Sequence, residues 1–387
     1  MSRRPSLSRK AFTLVELMVV LAIILLLLAL LLPAVQRVRE AANKVVCASR
    51  LRTIGQAVQL YLASNNQLFP SGGGDNPLPR TLNAVGLPTT RMDQDWGWLY
   101  QILPYLEQDN LWKYRSTNSP VASYVSAYGY DPAGDAEIVA TPIETYFCPS
   151  RRGPQVLMAD VGKRAMNDYA GNIGSFTMYD ANGLYHPSCA NATGWEEGKP
   201  KNPYRNGVFV KSRYFKSQLS NSTDSAIHVR DISDGMANTI LAADKRMNSA
   251  LYNQAQFGDT DGFTSGYIAD TLRSGFFSPS RDFSVDYPTP SDTIERFGSA
   301  HPYGINAVFC DGSVRTISYN IPDNRKVCQV YNGYLSQRGI YPLPDGPPGP
   351  TVPYAGPYPP YCMELTLFQR LCHRSDGSTT DLRLLDD

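Results

Sequence analysis

Residues 12–32 read FTLVELMVVLAIILLLLALLL, and this stretch decides how the rest of the chain is organised. It contains one charged residue, Glu16, and one other polar residue, Thr13. A helix needs about 20 mostly apolar residues to cross the hydrocarbon core of a bilayer. The apolar region of a secretory signal peptide spans only ~7–15 residues and ends at a small-residue cleavage site. Because this run continues to Pro33, it predicts a membrane-spanning helix.

Glu16 distinguishes this helix from a plain signal anchor, which has the same hydropathy. A carboxylate in a lipid-embedded helix costs on the order of 2.5–3.5 kcal/mol at the bilayer centre and less near an interface. An anchor gains nothing from that cost. Cleavage before Phe12 would create a new α-amine, which the Glu16 carboxylate of a neighbouring subunit could pair with in a filament core.

The sequence KAFTLVEL at residues 10–17 resembles the processing site of type IV prepilins and type II secretion pseudopilins. The resemblance implies that a prepilin peptidase cuts between Ala11 and Phe12, that the new amine is methylated, and that Glu16 acts in assembly. Pro33 stands where this family often carries a helix-kinking proline. The family usually has Gly before the cut, so Ala11 is a departure from the pattern.

The apolar spacing predicts that the helix continues beyond Pro33. Apolar residues recur every three or four positions as far as Tyr61, and the segment PSGGG at residues 70–74 ends the pattern. We expect a basic leader at residues 1–11, a transmembrane and filament helix at 12–63, a globular domain at 64–340, and a proline-rich segment with a C-terminal tail at 341–387. Basic residues flank both ends of the apolar run, so charge leaves the orientation open. The resemblance implies a cytoplasmic N-terminus in the inner membrane and an exported domain.

An Asp-Gly turn, Asp311-Gly312, joins two β-prone runs at residues 305–310 and 313–318, which is the strongest short-range signal of a β-hairpin. His301 precedes the first of these strands. A strand of six residues spans ~20 Å, so His301 and Asp311 cannot meet as a catalytic pair within this hairpin. We therefore expect structural roles for His301, Asp311 and Gly312.

The spacing of these residues resembles the His-x9-Asp-Gly motif that is associated with prepilin processing. That motif ends a large bacterial family of uncharacterised exported domains that follow prepilin signals, and the resemblance covers about residues 12–335. It implies a type IV pilin-like α+β fold, in which a long N-terminal helix packs on the antiparallel β-sheet of a loop-rich domain. It implies no particular reaction.

Other segments of the domain have weaker patterns. The sequence predicts a short helix broken near Pro104 within residues 96–107, strands at 226–230 and 239–242, and a turn at 231–235. The aromatic residues within 96–107 are consistent with a sugar-binding platform or with core packing, and we favour core packing.

Composition argues against several classes of function. With 36 basic and 35 acidic residues the chain lacks the basic surface that a nucleic-acid partner requires. The sequence contains no zinc-protease, serine-hydrolase or Walker motif, so we expect no enzyme, no metal site and no cofactor. Asp259-Thr260-Asp261-Gly262 opens like a calcium loop, but Ile268 stands where an EF-hand has Glu, and calcium stays only as a weak alternative.

The seven cysteines show no Cys-x-x-Cys spacing. Pairing in an oxidising compartment stays open, and Cys362 with Cys372 would close the simplest short loop.

These patterns predict a structural pseudopilin-like subunit. A prepilin peptidase would process it in the membrane, and it would assemble with other pilin or pseudopilin subunits in connection with type II secretion. The alternative is a membrane-tethered, β-rich binding protein for a cell-envelope polymer or exported cargo, which the clustered aromatics and 24 tyrosines motivate.

Overall fold

The structure is a computed structural model. It describes residues 14–74, 80–115, 132–159, 162–174, 195–196, 199–200, 206–212, 226–275, 277–284, 296–321 and 367–374. Ala11 and Phe12, the proline-rich segment and Cys362 lie outside these ranges.

The first element is a single long helix, α1, at Leu14–Ser64. Its 51 residues correspond to ~77 Å at 1.5 Å per residue, and it runs through Pro33. The large apolar side chains from Leu14 to Leu32 are all 46–73% exposed. The second half buries a face made of apolar and small residues: Cys47, Leu51, Ile54, Gly55, Ala57, Val58, Tyr61 and Leu62. The predicted long helix is thus confirmed, with one half packed on the domain and the other uncovered.

Four shorter helices follow within the described ranges. They are α2 at Trp98–Gln101, α3 at Asp109–Trp112, α4 at Pro132–Val139 and α5 at Leu367–Cys372. Short 3-10 turns occupy Arg91–Asp93, Leu103–Leu106, Glu144–Tyr146, Val229–Asp231 and Ser249–Leu251. The helix predicted within residues 96–107 is present as α2 and the following 3-10 turn, which contains Pro104.

The strands are short, as expected for a loop-rich domain. They are β1 at Val156–Ala159, β2 at Gly162–Ala165, β3 at Tyr169–Asn172, β4 at Trp195–Glu196, β5 at Lys199–Pro200, β6 at Ile240–Asp244, β7 at Leu272–Arg273, β8 at Ser280–Arg281, β9 at Gly298–Ser299, β10 at Gly304–Phe309 and β11 at Val314–Ser318. Three two-stranded sheets pair β1 with β2, β4 with β5, and β8 with β9.

The central sheet has five strands in the order β11-β10-β6-β3-β7. Its pairs are antiparallel except for the edge pair of β3 and β7, which is parallel. Side chains alternate along β10, as in any strand. Ile305, Ala307 and Phe309 pack in a cluster with Phe368 of α5, whereas Val308 belongs to the cluster that includes the buried face of α1. The sheet therefore lies between α1 and α5, and the fold is α+β.

The structure bears on three expectations about the domain. The hairpin at the Asp-Gly turn is confirmed as β10 and β11, and the strand predicted at 239–242 is present as β6. The strand predicted at 226–230 is wrong, because only His228 forms an isolated bridge, with Leu68, before the chain enters the 3-10 turn at Val229–Asp231. The side chain of Asp231 accepts the backbone N–H of His228, which closes the chain into a capped turn.

Candidate functional site

The most concentrated group of chemically reactive side chains lies where α1 meets the domain. We call Glu40, Cys47, Cys148, Ser150 and His301 the junction cluster. Glu40 and Cys47 are seven residues apart on α1, close to two full turns, and therefore share one face of the helix. The other three come from two distant loops, so the cluster joins three separate segments of the chain.

Cys148 and Ser150 lie in the turn that follows the 3-10 segment Glu144–Tyr146. Asp168 stabilises the turn on the side of the domain, because its Oδ2 accepts the N–H of Cys148 at 2.7 Å. The turn also contacts α1, where Ser150 Oγ donates to Glu40 Oε2 at 2.8 Å. The Sγ atoms of Cys47 and Cys148 lie 2.6 Å apart, and both side chains are fully buried.

Arg50 supplies a further link between α1 and the Cys148 turn. Its guanidinium donates to the carbonyl oxygen of Phe147 at 2.8 Å and to the carboxylate of Glu144 at 2.5 Å. Since Arg50 follows Cys47 by nearly one turn, it fixes the turn beside the two sulfur atoms.

His301 lies in the loop between β9 and β10 and connects both parts of the cluster. Its Nδ1 donates to Glu40 Oε1 at 2.5 Å, and its Nε2 lies 3.7 Å from Cys148 Sγ. The backbone holds the ring in place, because the hydroxyl of Tyr319 donates to the carbonyl oxygen of His301 at 3.0 Å. The side chain of Glu40 is about one third exposed, whereas that of His301 is 1% exposed.

The electrostatics of the cluster favour a positive imidazolium between Glu40 and Cys148. Burial alone would lower the pKa of His301, but the hydrogen bond with Cys148, the charge of Asp244 and the hydrogen bond with Glu40 raise it to about 9. The pKa of the Cys148 thiol is raised, first by its hydrogen bond with Cys47 and then by burial, and the contact with His301 opposes this shift.

The C-terminal end of β10 also contacts α1, through the Asp-Gly turn. Asp311 Oδ1 accepts the backbone N–H of Ser313 at 2.9 Å, and Gly312 takes a positive φ of 85° that favours glycine. Gln59 of α1 donates to the carbonyl oxygen of Cys310 at 2.5 Å. A Cβ built on Gly55 would lie 3.3 Å from the Cα of Gly312, so the helix and the turn are in close contact.

Two residues of the predicted motif, His301 and Gly312, therefore contact the same helix from the two ends of one strand, while Asp311 shapes the turn through Ser313. His301 contacts Glu40 at the start of β10, and Gly312 faces Gly55 and Gln59 at its end. The structure does not bring His301 and Asp311 together. It gives the spacing of the motif a physical basis, because the nine intervening residues contain the strand that lies along α1.

A buried ion network supports the Cys148 turn from below. Arg152 pairs with Asp168 at 2.8 Å and with Asp259 at 2.6 Å, and Lys245 pairs with Asp259 at 2.8 Å. Burial alone would raise the pKa of Asp259, but the charges of Lys245 and Arg152 lower it to about 2. Asp259, the first residue of the sequence that resembles a calcium loop, is thus paired with two buried cations, Arg152 and Lys245.

The residue types of the junction cluster occur in three kinds of chemical site. Glu40, His301 and Cys148 are arranged as an acid, an imidazole and a thiol in series, as in a nucleophilic site. The Cys148 sulfur is fully buried, however, and Cys47 lies against it, so a substrate has no access. Two cysteines and a histidine are also zinc ligands, and two neighbouring cysteines are able to form a disulfide.

Of the remaining predicted residues, the structure describes Glu16 and Pro33, both on α1. Glu16 is in the first turn of the helix and Pro33 is inside it, whereas Ala11 and Phe12 are outside the described residues. Sequence reasoning missed Glu40, Cys47 and Cys148. The only local signal was the spacing of Glu40 and Cys47 on one helical face, and nothing in the sequence connected that face with Cys148.

The comparisons with known families agree with this architecture. Residues 7–32 match the prokaryotic N-terminal methylation motif, and a helix long and apolar enough to cross a membrane begins within them, so the chain is a prepilin-like protein. Residues 36–324 match the family described as "Protein of unknown function (DUF1559)". This match covers more than half of the chain, including the whole junction cluster, and the chain belongs to that family. No match was found among curated proteins or solved structures.

Proposed function

We propose that the protein is a structural subunit of a pilin-type filament, with no enzymatic activity of its own. A prepilin peptidase removes residues 1–11, the amine of Phe12 is methylated, and the first half of α1 packs with equivalent helices of neighbouring subunits. The observation that carries the proposal is the division of α1 into an uncovered apolar half and a half buried on the domain.

The uncovered half needs a partner of its own kind. Burial of a large apolar side chain is worth about 1.5–3 kcal/mol, and the described part of the domain covers none of those between Leu14 and Leu32. Lipid covers this surface while the subunit is in the membrane. A bundle of identical or related helices offers the same apolar cover after the subunit has left it.

Glu16 makes the bundle specific in this proposal. Its carboxylate is in the first turn of the helix, and in sequence it follows by four residues the Phe12 at which cleavage creates the amine. In an apolar bundle each charge is costly alone and tolerated in a pair. Pairing of the Phe12 amine with Glu16 of a neighbour therefore sets the axial register of the helices.

The finer form of the proposal places the subunit in a pseudopilus that serves type II secretion. The N-terminus faces the cytoplasm, and the domain is exported to the periplasm or the cell surface. The alternative, a tethered binding protein, was motivated by clustered aromatic residues, and Trp96, Trp98 and Tyr100 are buried in the core. They therefore offer no binding platform.

Substitution of Glu16 tests the proposed function. Cells producing full-length wild type, Glu16→Ala or Glu137→Ala would be compared by carbonate extraction of membranes and by chemical cross-linking of intact cells. Glu137 is an exposed residue of α4 and serves as the matched control. We expect Glu16→Ala to remain in the membrane fraction and to lose the ladder of cross-linked subunits, whereas Glu137→Ala keeps both. An unchanged ladder for Glu16→Ala would remove the assembly role assigned to Glu16.

A further inference from the structure

Among the four cysteines that the structure describes, Cys47 and Cys148 are in direct contact. One lies on the buried face of α1 and the other in the turn after the 3-10 segment Glu144–Tyr146, 101 positions further along the chain. Both are fully buried, and their Sγ atoms are 2.6 Å apart. The two other described cysteines, Cys310 and Cys372, are also buried but are recorded in no such contact.

A metal site fits these positions less well than a bond between the sulfur atoms. In a tetrahedral zinc site with Zn–S distances of about 2.3 Å, two thiolate sulfurs stand roughly 3.8 Å apart. The sulfur atoms of Cys47 and Cys148 are much closer than this. Within the described residues, His301 is the one further side chain whose donor atom lies within 4.8 Å of both sulfur atoms, so this set supplies three ligands where a closed structural site uses four.

We propose that Cys47 and Cys148 form a disulfide that covalently fastens α1 to the exported domain. The two thiols lose two protons and two electrons, and one S–S bond forms between them. The electrons pass to the disulfide of a thiol–disulfide oxidant of the cell envelope, which leaves as a dithiol. One cysteine thiolate first displaces a sulfur of the oxidant, and the thiolate of the second cysteine then displaces the oxidant.

The position of the bond would let it resist a force that pulls the domain away from α1. The first half of α1 is held in the filament or the membrane, and the domain is attached to the second half by the continuing chain, by packing and by hydrogen bonds of Glu40, Arg50, Gln59 and Tyr61. A bond at Cys47 lies at the start of the buried face of the helix. A force that pulls the domain away from the shaft therefore reaches this bond before it reaches the packing beyond it.

The neighbours of the pair protect the bond. His301 lies against Cys148 on one side, with Glu40 and Ser150 closing the junction at the helix surface. Because both sulfurs are fully buried, dissolved thiols cannot reach them in the folded protein. The bond then forms while α1 docks and persists afterwards. The inference rests on the proposed function in one respect, since an exported domain meets the oxidising conditions in which disulfides form.

A tryptic digest of the full-length protein, extracted from membranes with alkylating reagent and without reductant, tests the pair directly. Trypsin releases Cys47 in the peptide 45–50 and Cys148 in the peptide 116–151, and each peptide contains a single cysteine. We expect mass spectrometry to find these two peptides joined and to find them separate after reduction. Alkylated peptides, a link to another cysteine, or one bound zinc per chain by elemental analysis would each overturn the proposal.

The same digest reports on the proposed function separately. A processed chain yields an N-terminal peptide 12–37, whereas an unprocessed chain yields 11–37. A free thiol pair together with peptide 12–37 would overturn the disulfide and leave the filament proposal intact. Peptide 11–37 together with a joined pair would overturn the filament proposal and leave the disulfide intact.

Variants separate a covalent bond from ordinary packing. If the sulfurs are bonded, Cys47→Ser, Cys148→Ser and the double variant should lower the midpoint of thermal unfolding by similar amounts, because each loses the same bond. Cys310→Ser is the matched control for removal of a buried thiol, and its effect should add to that of Cys47→Ser. Additive effects of Cys47→Ser and Cys148→Ser would contradict the bond.

Discussion

Gly55 gives a sharp test of how closely α1 is packed on the hairpin. It lies on the buried face of the helix, opposite the end of β10. A Cβ at this position would lie 2.6 Å from Cγ2 of Val308 and 3.3 Å from Cα of Gly312. Both neighbours resist displacement. Val308 is a buried β-branched residue of β10, paired on both sides with neighbouring strands, and the atom of Gly312 is backbone.

The expected change in unfolding free energy for Gly55→Ala is the difference between two opposing effects. In an exposed helix interior, Gly→Ala stabilises by about 1 kcal/mol because it reduces backbone entropy in the unfolded chain. In a closely packed core an extra methyl group costs about 1–3 kcal/mol. The 2.6 Å approach is far inside van der Waals contact, so we expect the second effect to exceed the first and Gly55→Ala to destabilise by about 1 kcal/mol.

Thermal unfolding of the detergent-solubilised full-length chain measures this effect, in a double-mutant cycle with Val308→Ala. Because Val308→Ala removes the atom that the new methyl group would meet, the double variant should be more stable than the sum of the single changes predicts. A shift of about 2 °C per kcal/mol is expected for a domain of this size. If Gly55→Ala raises the midpoint, as it would on an uncovered helix, the described packing of α1 on the hairpin is wrong.

Three further predictions concern the network beneath the Cys148 turn and the junction cluster. Arg152→Met leaves Asp168 without its guanidinium partner and Asp259 with Lys245 alone, and should cost about 3–5 kcal/mol in urea unfolding. The pKa of Asp259 is about 2 in the folded protein against a usual 3.8, so its contribution to stability is present above pH 4 and is lost as the pH falls towards 2. This acid-dependent loss should be absent in Asp259→Asn. While Cys148 is a thiol, the pKa of His301 is about 9 against a usual 6.5, so in the reduced protein its contribution is full below pH 6.5 and is lost as the pH rises through 9. In the reduced protein His301→Gln should show no such alkaline loss, and an equal loss in both proteins would contradict an imidazolium stabilised by Cys148, Asp244 and Glu40.

The elements that the sequence predicts well are those with local signals. Apolar periodicity placed the long helix at residues 12–63, and the structure has it at Leu14–Ser64. The Asp-Gly turn located the hairpin because its backbone requires positive φ, and Gly312 adopts it. The segment 226–230 has β-prone residues of the same kind. A hydrogen bond from the backbone N–H of His228 to the Asp231 side chain stabilises a turn there instead, and β-propensity takes no account of such a cap.

Tertiary relations had no comparable signal. The order of the five strands and the parallel pairing of β7 depend on how the loops cross the domain. The junction cluster is the clearest example, because His301 and Glu40 are 261 positions apart and each is unremarkable in its own segment. Proximity along the chain suggested Cys362 with Cys372, a pairing that extends outside the described residues, and it gave no sign that the fold places Cys148 against Cys47.

The claim that the subunit is a processed, pilin-type protein has one direct measurement, the mass of the N-terminal peptide of the protein extracted from membranes. The account predicts a chain that begins at Phe12 and carries a methyl group on its α-amine, with residues 1–11 removed. A chain that still begins at Met1 or Ser2 would contradict it, because Glu16 would then have no new amine to pair with in a filament.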